Sequence, residues 1–141
     1  MTGDVGSKDN VVVLKTAFLI GAVADGVIAI EWFLISLGLL NLPVHPSFFV
    51  GSGQDFQYVL SIGGLFMMGW AVLLYWGSFR PIERRGVLLL TAAMLFIAIL
   101  SDGIVFGHLF STKQIVLGTS VKLSLVVLFA GSYWHSKLIH G

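Results

Sequence analysis

The sequence predicts an all-α integral membrane protein, a four-helix transmembrane bundle with both termini on the cytoplasmic side. Of its 141 residues, 57% are hydrophobic and only 11% are charged, whereas a soluble domain has about 25% charged residues. Four apolar stretches are each long enough to cross a bilayer, which takes about 20 residues. The basic residues are unevenly distributed between the connecting segments, and this asymmetry gives the orientation.

The four stretches are continuous apolar runs, which indicate helices, because barrel strands would alternate apolar and polar residues. We expect helices at about 11–40, 58–79, 86–106 and 115–134, within a single transmembrane domain that covers residues 1–141. The first run is too long for the apolar region of a cleaved signal peptide, so we interpret it as a membrane helix.

An outer loop is expected at about 41–57, where Pro43, Pro46, Gly51 and Gly53 interrupt any helix. This segment either caps the mouth of the bundle or is an ordinary long loop.

The loop after the second helix contains all three arginines of the chain, Arg80, Arg84 and Arg85, and the outer loop has no Lys or Arg. Since cytoplasmic loops of membrane proteins are enriched in basic residues, this loop and both termini are predicted to be cytoplasmic. The predicted location is therefore multi-pass in a cytoplasmic membrane.

The composition excludes several classes of function. The chain has no cysteine, which excludes disulfides, thiolate metal sites, iron–sulfur clusters and catalytic thiols. A formal net charge of +1 gives no electrostatic footprint for nucleic acid. No phosphate loop, nucleophile elbow or dinucleotide fingerprint is present. An outer pair of His45 and His108 with Glu31 lacks any metal-ligand spacing, so we expect no metal or cofactor.

Ionisable side chains within the apolar stretches are the candidate binding residues, because a charge in hydrocarbon needs a partner or a function. These residues are Asp25, Glu31, Asp102 and Lys122. Counted along the helices, all four fall in the outer half of the bilayer, where Lys122 would pair with Asp102 or with Asp25. Either choice leaves at least one carboxylate without a cation, free to carry a proton. The alternatives are an ion pair that only fixes helix register, and a Glu31 and His108 that are solvated at the outer interface.

Three secondary features accompany these residues. Trp32 and Trp70 would line a pocket open to the lipid, and His108 is predicted on the outer side of the membrane. Small residues at four-residue spacing, Gly103 with Gly107 and Ser120 with Ser124, favour contact between the third and fourth helices.

A short internal similarity suggests a two-helix unit repeated in parallel. The segment 24–28 (ADGVI) resembles 101–105 (SDGIV), and both lie on helices that run outward. A duplication of this kind would relate the two Asp-Gly pairs by a pseudo-twofold axis along the membrane normal. Coincidence is the alternative.

The segments 69–76 (GWAVLLYW) and 80–91 (RPIERRGVLLLT) resemble part of a family of small prokaryotic four-helix membrane proteins that has no assigned function. The resemblance implies a four-helix fold in a prokaryotic cytoplasmic membrane and brings no activity with it.

Three functions remain open on the sequence alone. The chain would bind or transport a cation, a proton or a small molecule, acting with the lipid bilayer around it as a homo-oligomer or within a membrane complex. Alternatively, it would be a membrane enzyme that uses an acid–base pair of carboxyls on a lipid-soluble substrate. The third hypothesis is an accessory subunit in which the ion pair is structural.

Overall fold

The computed structural model describes residues 3–40, 53–104 and 112–140. These residues form four α-helices and no strand, which confirms the all-α prediction. The helices are α1 (Gly3–Ser36), α2 (Gln54–Gly77), α3 (Gly86–Ile104) and α4 (Thr112–His140). Each contains a segment long and apolar enough to cross a membrane; these are Val11–Ser36, Gln54–Gly77, Gly86–Ile104 and Ile115–Leu138. The chain therefore has the architecture of a multi-pass membrane protein.

The helices extend further into polar sequence than predicted. α1 begins at Gly3, before the predicted start at Val11, and α4 continues to His140, beyond the predicted end near residue 134. A hydropathy pattern detects only the part of a helix that lies in hydrocarbon, and a helix that satisfies its own backbone hydrogen bonds can continue into water. The end of the third helix, expected near residue 106, and most of the expected outer loop lie outside the described residues.

α1 ends at Ser36, earlier than the predicted residue 40, although the apolar sequence continues. Gly38 has a φ of 70°, which a residue without a Cβ adopts freely. The Leu39 amide donates to the Leu34 carbonyl at 2.9 Å and the Gly38 amide donates to the Ile35 carbonyl at 3.0 Å. This is a Schellman motif, in which a glycine stops the helix and satisfies its last carbonyls.

Glycines of α2 allow aromatic side chains of α1 to contact the α2 backbone. A Cβ on Gly63 would lie 2.6 Å from the Trp32 ring, and one on Gly77 would overlap the Phe18 ring. Because Trp32 is near the end of α1 and Gly63 is near the start of α2, the two helices are antiparallel. α1 and α2 make the most extensive helix contact among the described residues.

α3 and α4 form the second antiparallel pair. Arg85, just before α3, donates to the Ser136 carbonyl near the end of α4 at 3.2 Å, and Asp102 contacts Lys122 further along both helices. The Arg80–Arg85 loop, the start of α1 and the end of α4 therefore share one end of the bundle, here called the arginine end. The other end is called the opposite end.

The apolar core lies in the half of the bundle nearest the arginine end. It consists of Leu14, Ala17, Phe18, Leu74, Leu88, Ala92 and Phe129. At its inner edge, a Cβ on Gly21 would lie 2.9 Å from Cζ of Phe129 and 3.0 Å from Cδ1 of Leu74. Gly21 thus marks the point where α1, α2 and α4 meet.

Candidate functional site

An ion pair joins α3 and α4 in the half of the bundle that is farther from the arginine end. Lys122 donates from Nζ to Oδ2 of Asp102, and the two side chains are 23% and 21% exposed. Of the two ion pairs that the sequence allowed, the structure contains this one. An ammonium and a carboxylate that leave water together compensate each other's desolvation.

The small-residue spacings are not the reason for the contact between α3 and α4. Gly103 is exposed, and a Cβ built on it meets no described atom within 4 Å. Ser120 and Ser124 are also exposed, and their hydroxyls donate to carbonyls of their own helix, those of Val116 and Ser120. The predicted helix pair is correct, but the Gly103 and Ser120–Ser124 explanation for it is wrong. Gly107 lies outside the described residues.

Asp25 lies near the middle of the α1 span, on the face of α1 that packs inward. Its spacing continues the buried positions Leu14, Phe18 and Gly21 at steps of three or four residues. The side chain is half-buried. Within the part of the chain that the structure describes, no hydrogen bond or ion pair involves the Asp25 carboxyl.

The contact between Gly21 and Phe129 relates the depth of Asp25 to that of Lys122. Asp25 is four residues beyond Gly21, about 6 Å toward the opposite end, and Lys122 is seven residues before Phe129, about 10 Å in the same direction. The two residues therefore differ in depth by about one helical turn. Asp25, Asp102 and Lys122, grouped here by their similar depth in the bundle, are called the charged cluster below.

Glu31 is buried, with 6% of its surface exposed. The alternative of a Glu31 solvated at the outer interface is therefore wrong for this structure. Its suggested interfacial partner, His108, lies outside the described residues, as does His45.

Both tryptophans contact residues of another helix. Trp70 donates from Nε1 to Oγ1 of Thr91 at 3.2 Å and packs against the apolar core, while Trp32 packs on Gly63. Two surface depressions are apolar and open. One is lined by Thr16, Leu19, Ile20, Val23 and Ala24, and the other by Thr112, Lys113, Val116, Leu117 and Ser120.

The described residues contain no group of three His, Asp or Glu side chains that is arranged to hold a metal ion.

The arginine end holds cation contacts that the sequence reasoning did not assign. The Arg84 guanidinium lies 3.2 Å from the centroid of the Trp76 ring and also donates to the Trp76 carbonyl. Arg85 lies 5.9 Å from the Tyr133 ring centroid in addition to its bond to Ser136. Because these arginines follow a helix end rich in aromatic residues, the sequence could have indicated contacts with nearby rings. It could not indicate the partner of Arg85 on α4, which is remote in sequence.

Comparison with known proteins gives no match: no protein-family model, no curated protein and no solved structure is significantly similar to this chain.

Proposed function

We propose that this protein binds a proton or a small cation at Asp25 and passes it across the membrane. The observation that supports the proposal is the half-buried Asp25 carboxyl in the middle of α1, without a hydrogen bond or ion pair among the described residues. An ionised carboxylate without a counter-charge is costly in hydrocarbon. A bound proton or cation removes that cost.

The charge balance of the charged cluster supports the same proposal. Two carboxylates and one ammonium give it a formal charge of −1, so one further positive charge makes it neutral. Lys122 neutralises Asp102 by direct contact, which assigns the additional charge to Asp25.

The proposed orientation has both termini and the arginine end on the cytoplasmic side of a prokaryotic cytoplasmic membrane, in line with the positive-inside rule. The charged cluster then lies in the outer half of the bilayer. The similarity of the two Asp-Gly segments supports an origin by duplication, with Asp25 and Asp102 in equivalent positions. Because four helices enclose little space, we propose that the chain acts as a homo-oligomer or within a complex.

Flux through purified protein tests the proposal. Proteoliposomes that contain a pH-sensitive dye report proton entry after a potential is imposed, and replacing the external salt with sodium or potassium reports the cations. We expect Asp25→Asn to abolish flux, since the amide neither releases a proton nor neutralises a cation. The matched control is Asp55→Asn, which removes an exposed carboxyl in the first turn of α2.

Equal flux through wild type and Asp25→Asn would overturn the proposal. If Asp55→Asn is as inactive as Asp25→Asn, the loss of flux reflects damage to the bundle and not the loss of an ion site.

An accessory subunit is the second candidate, favoured by the exposure of α4. Most of its membrane-spanning segment, Ile115–Leu138, is not buried by the rest of the chain, so lipid or another protein covers it. In that function, a partner chain would supply the counter-charge for Asp25. The enzyme hypothesis has no comparable support, because Trp32 and Trp70 are engaged in packing between helices.

A further inference from the structure

The two ends of the bundle differ in charge. The Arg80–Arg85 loop and the end of α4 together contain four basic residues and one acidic residue, Glu83, which gives a net charge of +3. The start of α1 adds two basic and two acidic residues, which cancel. Two helices begin and two end here, so their macrodipoles also cancel. The side chains therefore decide the sign of the potential at the arginine end.

Two of these cations are located at the last turns of α4, one reaching them from the loop and one belonging to the helix. Arg85 is held there by its bond to the Ser136 carbonyl at 3.2 Å. The next residue, Lys137, is exposed and lies with Nζ 5.4 Å from the Trp134 ring centroid. Both side chains keep unused donors, since a guanidinium has five N–H groups and an ammonium has three.

The surroundings of this pair match the headgroup level of a bilayer. Lys137 stands at the end of the apolar segment Ile115–Leu138, and the exposed rings of Trp134 and Trp76 lie at the same end of the bundle. Amphipathic aromatic rings occupy the membrane–water interface. A phosphate at this level would meet Arg85 and Lys137, while acyl chains would lie along the exposed apolar surface of α4.

We propose that Arg85 and Lys137 form a binding site for the phosphate of an anionic phospholipid. Arg80 is a poor contributor, because it forms an exposed ion pair with Glu83 at 3.4 Å. The site does not rest on the charged cluster or on any ion flux. It requires a lipid of net negative charge, such as phosphatidylglycerol, and not a zwitterionic lipid of the same chain length.

Native mass spectrometry of protein released from mixed phosphatidylglycerol and phosphatidylcholine membranes tests the site. We expect wild type to retain phosphatidylglycerol in preference, and Lys137→Gln to lower that preference about fivefold, which corresponds to about 1 kcal/mol for one basic residue near an anionic surface. The matched control is Lys113→Gln, an exposed lysine in the first turn of the same helix at the opposite end.

Three outcomes would overturn the proposal. The first is that wild type retains the two lipids in the proportion supplied. The second is that Lys113→Gln lowers the preference for phosphatidylglycerol as much as Lys137→Gln does. The third is retention of inorganic phosphate, added as a competitor, in place of intact lipid, which would identify an anion site that is not a lipid site.

Discussion

Along α3, the buried residues Leu88, Thr91 and Ala92 all lie in the half nearest the arginine end, whereas the other half carries Asp102. α1 shows the same division. Its buried Leu14 and Phe18 belong to the apolar core, and beyond Gly21 the inward positions include charged side chains. One half of the bundle thus holds the apolar core, and the other holds the charges together with local close contacts such as that of Trp32 with Gly63.

The difference separates two ways of holding helices together in lipid. Lipid tails are as apolar as the core, so burial of apolar surface gives little driving force, and close packing has to supply it. Charged side chains in lipid, by contrast, are costly unless they are compensated. We interpret the packed half as the scaffold and the charged half as the region where function resides.

Removing a ring from the core should have the largest effect on stability. Phe129 is 1% exposed and contacts α1 at Gly21, so Phe129→Ala should lower the free energy of unfolding by about 3 kcal/mol through the cavity that it leaves. Titration with denaturing detergent in mixed micelles measures this. Phe66→Ala is the control, because Phe66 is 76% exposed, and it should change stability by less than about 0.5 kcal/mol. Equal losses would contradict the assignment of the packed half as scaffold.

The next largest effect should come from breaking the ion pair in the charged half. Lys122→Met leaves the Asp102 carboxylate without its ammonium and should cost about 2 kcal/mol, less than for a fully buried pair because about a fifth of each side chain is exposed. The double variant Asp102→Leu/Lys122→Met removes both charges and should recover most of that loss.

The double variant also separates structure from function. If the pair is part of the ion site, the double variant should be stable in the detergent titration but should show altered flux. A stable double variant with unchanged flux would mean that the pair only fixes the register of the two helices and that Asp25 alone is the ion site.

The sequence predicted the helices because hydropathy reports directly on the hydrocarbon span. It did not predict their ends, because these depend on backbone geometry. The positive φ of Gly38 stops α1 within an apolar run, and α4 continues through polar residues to His140. The pattern of apolar residues indicates neither of these two helix ends.

The charged cluster was partly predictable for a similar reason. Counting residues from the span ends gave the depth of Asp102 and Lys122, and depth restricts which charges can pair. It could not give burial around a helix, so Glu31 was compatible with a solvated position although it is buried. Contacts between residues distant in sequence, such as Arg85 with Ser136, follow from the helix arrangement and not from any local motif.

The smallest effect should come from the hydrogen bond at the boundary between the two halves. Trp70 packs against the apolar core and donates from Nε1 to Oγ1 of Thr91 at 3.2 Å, so this bond joins α2 to α3 on the core side of the boundary. Thr91→Val and Trp70→Phe, combined in a double-mutant cycle, should give a coupling of about 0.6 kcal/mol, the average for such bonds in membrane bundles. Ser124→Ala should show no coupling to Trp70→Phe, because Ser124 bonds only within α4. A coupling as large as the loss expected for Lys122→Met would show that a polar contact, and not only close apolar packing, holds the packed half together.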